Sequence, residues 1–205
     1  LWVSKSPREI KSTYARMTTA TERIRSDYLT AAVVTGGDPT DDFADLLDDV
    51  SLERIQAALS SGFSRAVFDG VEAAGRLGKE AEEILPTLIQ SFRLCGDSTK
   101  WKVVEEAEAD LPTTLELIRM EVIETIGEAG LSSRAALTLL AEVLNDDDDA
   151  LHFAVFTAIN QLGSKASDLA AGVERYLAGL DDRELPVMSK PYLRVAATES
   201  LSAIQ

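Results

Sequence analysis

The sequence predicts an all-helical fold built from antiparallel helical hairpins stacked side by side, with a helical extension at its N-terminus. Three observations predict it. Strand signals are scarce, with no sustained period-two alternation and no Asn-Gly or Asp-Gly hairpin between β-branched runs. Apolar residues recur at helical offsets through most of the chain. From Phe63 onward one unit returns: a helix closing in small residues and Gly, a short turn, a second apolar helix, and an acidic turn. One such hairpin cannot bury its apolar face alone; neighbours placed side by side bury a continuous core.

Residues 7–34 read as a helix behind Ser6-Pro7, an N-cap followed by Pro at the first helical position. Residues 1–35 are therefore assigned as an N-terminal helical arm. Gly36-Gly37-Asp38-Pro39-Thr40-Asp41-Asp42 breaks the pattern, so 36–42 is assigned as a linker. Residues 43–205 form the repeat domain, about three full hairpins and a partial fourth. It opens with one or two short helices, in which Phe43, Leu46, Leu47 and Val50 share one face and Leu52, Ile55 and Leu59 another.

The first copy runs from Ser64 to a close at Ala73-Ala74-Gly75-Arg76-Leu77-Gly78, and its second helix is 84–92. Pro86 fits in the first turn, where a missing N–H costs little. The second copy pairs 118–130 with 133–144, and the third pairs 150–163 with about 166–180. The fourth begins near Pro191 and stops before any partner helix, which suggests a fragment of a longer chain. The closing positions are Gly78, Gly130, Gly163 and Gln205, at intervals of 52, 33 and 42 residues. The long first interval holds an insertion at 97–110 that carries Trp101. Gly just past a helix end turns the chain through a positive φ. Small residues at Ala73, Ala74, Gly75, Gly127, Ala158, Ala196 and Ala197 mark close helix approach.

Composition excludes several functions. With 45% hydrophobic and 27% charged residues over 205 positions, the chain can bury a substantial core. No apolar run approaches the roughly 18 to 20 residues of a membrane helix. A net charge of -15 without a basic patch argues against nucleic-acid binding and favours solubility and a basic protein partner, with a salt-rich habitat or simply a well-solvated surface as the alternatives. The single cysteine, Cys95, excludes an internal disulfide and suits a reducing compartment, cytoplasmic or an organelle interior. A start at Leu1-Trp2 without methionine fits either a fragment boundary or a processed precursor.

Chemistry is poorly supplied. His152 is the only histidine, which excludes a multi-histidine metal site and a histidine triad within the chain. It is read as a structural residue between neighbouring copies, and Cys95 as a small buried hydrophobe near a helix end. Asp146-Asp147-Asp148-Asp149 lacks the spacing of an EF-hand and reads as a helix cap with a solvated turn. Glu82-Glu83 and Glu105-Glu106 are adjacent pairs about 100° apart on a helix, so neither is a carboxylate dyad. Gly75-Arg76-Leu77-Gly78-Lys79 lacks P-loop spacing. No catalytic, cofactor-binding or metal-ligating residue is assigned. Trp101, in Lys100-Trp101-Lys102, reads as a core residue, with a partner anchor as the alternative.

Residues 144–154, Leu-Asn-Asp-Asp-Asp-Asp-Ala-Leu-His-Phe-Ala, resemble the inter-repeat turn and first helix of a HEAT repeat. So do Leu180-Asp181-Asp182 leading to Leu193-Arg194-Val195-Ala196-Ala197. That family repeats an Asp in the turn and a Val-Arg pair in the first helix. Here Arg119 and Arg194 hold the Arg position, eleven residues before the close, where His152 and Val67 stand in the other copies. The resemblance covers about 63–205, extends to armadillo-type repeats and includes the bacterial-type repeats of phycobilin lyases. It implies an α-solenoid, a superhelix of helix pairs whose second helices line a concave partner-binding face. On that mapping Glu82, Glu83, Gln90, Glu142, Glu174 and Arg175 lie on the binding face, with Trp101 as a further contact. The implied function is a non-catalytic scaffold or adaptor for a protein with a basic segment. Two other readings fit: a structural subunit of a larger multiprotein assembly, and a bilin-lyase-type enzyme or its accessory subunit.

Overall fold

A computed structural model describes residues 51–101, 111–146, 148–183 and 189–205. The arm assigned to 1–35, the linker at 36–42, and Glu105 and Glu106 lie outside the described residues. Every regular element among the described residues is a helix, with no strand among them.

Helix α1 (Leu52–Ser60) begins where the Ser51 hydroxyl accepts a hydrogen bond from the Arg54 N–H at 3.4 Å. It buries Ile55, Ala58 and Leu59. Helix α2 (Ser64–Arg76) buries Ala66, Val67, Phe68, Val71, Ala73 and Ala74. Gly78, at φ +56°, then turns the chain into a 3₁₀ segment (Gly78–Ile84) that runs directly into α3 (Leu85–Leu94). Pro86 sits in the first turn of α3, where the missing N–H has no helical acceptor to lose.

A 3₁₀ turn at Ser98–Lys100 ends in Trp101, and α4 (Leu111–Glu128) follows beyond the insertion. It closes in a Schellman motif. The Leu131 N–H donates to the Ile126 carbonyl at 2.9 Å and the Gly130 N–H to that of Gly127 at 3.0 Å. Gly130 supplies the required φ of +68°, and Leu131 tucks into the core. The Ser133 hydroxyl caps α5 (Arg134–Leu144) by accepting from the Ala136 N–H at 3.5 Å. Helix α6 (Asp149–Leu162) ends at Gly163, again at positive φ. A second 3₁₀ segment (Gly163–Leu169) leads into α7 (Ala170–Gly179), and α8 (Ser189–Ile204) completes the order.

The three glycines expected to turn the chain therefore do so. The second helices differ from expectation in their start. In the first and third copies a 3₁₀ segment of seven residues carries the chain from the glycine to the α-helix. A tighter winding pairs early N–H groups through i→i+3 bonds where no side-chain cap is present.

Packing follows two rows. The long helices meet in succession: α2 on α4, α4 on α6, α6 on α8. The shorter helices do the same: α3 on α5, α5 on α7. Helix α1 packs on α2 and α3. One continuous apolar core runs between the rows, from Ile55 through Leu88, Ile118, Ile126, Leu140, Phe156 and Val173 to Leu193. Small residues set the spacing of the long row. A Cβ placed on Gly127 would lie 2.6 Å from the Ala158 Cα, and would collide with the Gln161 side chain as well.

Candidate partner-binding surface

The short row positions the residues singled out on the sequence. Glu82 and Glu83 are exposed on the 3₁₀ segment before α3, Gln90 on α3, Glu142 on α5, and Glu174 and Arg175 on α7. Each falls on the solvent side because the apolar residues of its element, such as Ile84 and Leu88 or Leu139 and Val143, take the core side.

Two polar links run along this row. Arg93 on α3 reaches Glu142 on α5 at 3.3 Å, with both side chains at least half exposed. The Arg175 guanidinium on α7 donates to the side-chain oxygen of Asn145, just past α5, at 3.3 Å. The surface is thus acidic but stitched: Glu142 is shared with Arg93, while Glu82 and Glu83 stand at the open start of α3. Arg93 was not among the residues singled out. Its position one turn after Gln90 was a usable signal.

Trp101 stands apart from the other six. It is only 7% exposed, and its indole N–H donates to the Leu94 carbonyl at 3.1 Å. This is the core-packing arrangement, in which the ring braces the end of α3.

The acidic turn is organised differently from the sequence expectation. Asp148 occupies the N-cap position of α6 but makes no side-chain capping bond. Its carboxylate instead receives the Arg119 guanidinium at 3.0 Å, and Asp146 lies 3.5 Å from the same group. Arg119 also stacks over the Phe92 ring, 4.9 Å from its centroid. One side chain on α4 thereby touches α3 and the turn leading to α6. Arg194 on α8 pairs with Asp181 in the preceding turn at 2.6 Å. A charge-assisted hydrogen bond from a guanidinium is stronger than one from a neutral backbone N–H.

The two residues with chemical potential are buried. His152 is fully enclosed, its ring edge-to-face with Tyr176 at 4.7 Å, and Tyr176 in turn meets Phe156 at 5.1 Å. The Cys95 thiol donates to the Ser91 carbonyl at 3.2 Å. Burial pushes its pKa up to about 12, and the nearby positive charge of Arg119 opposes the shift without reversing it. Such a thiol is neutral and a poor nucleophile at neutral pH.

Among the described residues no group of three or more His, Cys, Asp or Glu is placed to hold a metal ion, and no helix is long and apolar enough to cross a membrane. No family model matches the chain, and neither do any curated protein or solved structure.

Proposed function

We propose that the chain is a non-catalytic scaffold or adaptor, a HEAT-like solenoid whose short-helix row receives a basic segment of a partner protein. The observation that carries this reading is the exposure of Glu82, Glu83, Gln90, Glu142, Glu174 and Arg175 along successively packed helices. A continuous row with an acidic bias offers many weak contacts to an extended or helical ligand, which is how such a surface gains selectivity. The net charge of -15 adds long-range attraction for a basic partner.

The repeat assignment draws support from register. Thr125 and Ser200 each stand five residues before a closing position, Gly130 and Gln205. Each donates to a carbonyl seven residues before the preceding close: Thr125 to Val71, Ser200 to Phe156. Equivalent residues thus lie against equivalent carbonyls two copies apart, which supports the repeat reading.

The test is fluorescence anisotropy with a labelled lysine-rich helical peptide, titrated from low to high ionic strength. Binding that weakens steadily with salt, and that is lost on combining Glu82→Lys, Glu83→Lys and Glu174→Lys, supports the reading. Binding indifferent to salt and to those reversals sinks it, because charge-driven association is screened.

A further inference from the structure

A cleft opens along α3 from Thr87 to Leu94, between the end of α1, the first turn of α2 and Trp101. Its volume is about 150 Å³, roughly what a benzene ring or one leucine side chain fills. Leu59, Val67, Leu94 and the Trp101 ring form the wall. Two of its polar groups are already engaged. The Ser91 hydroxyl donates to the Thr87 carbonyl at 3.1 Å, and the Trp101 N–H is held by Leu94. An occupant therefore meets a mainly apolar wall in which neither of these two donors needs a partner. At the rim stand Thr87 and Gln90, able to hydrogen-bond a peptide main chain, and Lys100, drawn toward Asp97 at 4.0 Å.

Gln90 belongs both to this rim and to the exposed row, and the exposed Glu82 and Glu83 precede Thr87 by five and four residues in the 3₁₀ segment that runs into α3. We infer that the cleft is an anchor pocket for one bulky apolar side chain, leucine or phenylalanine, of a basic peptide whose cationic residues face Glu82 and Glu83. This rests on the scaffold reading and adds to it a specificity element. Charge draws the partner in, and the pocket selects which segment of it binds. A single well-packed anchor with a polar surround is how a small contact gains most of its discrimination.

The experiment uses the full chain carrying Trp2→Phe, which leaves Trp101 as its one indole. Three lysine-rich peptides of equal charge differ at one central residue: leucine, phenylalanine or alanine. The expected result is that the leucine and phenylalanine peptides bind about tenfold tighter than the alanine peptide and shift the Trp101 emission, while the alanine peptide leaves it unchanged. Thr87→Phe fills the pocket from its rim, and is expected to erase the preference and leave the weaker salt-dependent binding intact.

Equal binding by all three peptides with Trp101 emission unmoved overturns the pocket and leaves the acidic surface standing. No binding by any of them overturns both. Free toluene shifting the emission while the three peptides bind alike marks the cleft as a small-molecule pocket and overturns the peptide assignment. If Thr87→Phe fails to fold, the leucine–alanine comparison in the Trp2→Phe chain decides alone.

Discussion

The Thr125 hydroxyl on α4 donates to the main-chain carbonyl of Val71 on α2 at 3.2 Å, across a contact where Thr125 is almost wholly buried. The carbonyl lies inside a helix, so this donor is its second. Ser200 on α8 lies 3.0 Å from the Phe156 carbonyl on α6, and shares its one hydroxyl proton between that carbonyl and the Ala196 carbonyl of its own helix at 2.9 Å. Between these pairs, the equivalent position on α6 is Ala158, which has no hydroxyl to offer and presses directly on Gly127. The long row thus alternates a polar rung with a close backbone approach.

Removing a rung should cost little but measurably. Thr125→Val keeps the shape and deletes the donor, with an expected loss of about 1 kcal/mol in urea unfolding. Ser200→Ala should cost a similar amount, and Thr125→Ser less than Thr125→Val. A silent Thr125→Val would show that the bond contributes nothing beyond what water supplies to the unfolded chain.

Two glycines on equivalent positions should respond with opposite sign. At Gly127 an added methyl meets the Ala158 backbone, which cannot move without separating α4 from α6. Gly127→Ala is expected to destabilise by about 1–3 kcal/mol even after its gain in helix propensity. At Gly75 the nearest atoms are the Glu128 carboxylate at 3.3 Å and the Thr125 hydroxyl at 3.7 Å, and the former is the end of a flexible side chain. Gly75→Ala should be neutral or stabilising by up to ~1 kcal/mol. Thermal unfolding of the two variants side by side checks the contrast.

These glycines also mark what was readable in the sequence. The closes at Gly78, Gly130 and Gly163 were legible because only a residue without Cβ takes that backbone cheaply, so identity and geometry coincide. Glu82, Glu83, Gln90, Glu142, Glu174 and Arg175 were singled out through the resemblance to HEAT repeats, and all six are exposed. The Arg93–Glu142 and Arg119–Asp148 pairs were not legible, because each joins elements whose contact depends on how the rows settle. Asp148 shows the limit well. Local rules make it a cap, and a distant arginine takes its carboxylate. The 3₁₀ starts of the second helices were equally hidden, since they reflect the path from a glycine turn to a packed helix rather than any residue preference.

The Arg119 network should matter more than the exposed pair. With Arg119 only 22% exposed and bonded at 3.0 Å to Asp148, a double-mutant cycle using Arg119→Met and Asp148→Asn is expected to give a coupling of about 1 kcal/mol. Arg93→Met with Glu142→Gln, at 62% and 51% exposure, is expected to give roughly 0–0.5 kcal/mol and to vanish at high salt. Equal couplings would mean that burial and the Phe92 stack add nothing to the arginine's hold.

Cys95 gives a prediction in pH. Its thiol ionises near 9.0 when free and near 12 in the fold, so the folded state favours the neutral form. Above pH 9 the unfolded chain releases this proton while the native chain keeps it. The unfolded state then binds fewer protons, and stability falls as pH rises. The contribution is whole below pH 9.0 and is lost progressively as pH climbs through about 12. Unfolding measured from pH 8 to 11 should therefore decline less steeply in Cys95→Ala than in the parent chain, from a lower starting stability. A thiol reagent at pH 8 supplies the companion check. Reaction with Cys95 should be slow in the native protein and fast in urea, with a native rate that tracks global opening. Rapid modification of the native chain would mean that the Ser91 contact and the surrounding core open far more readily than their burial indicates.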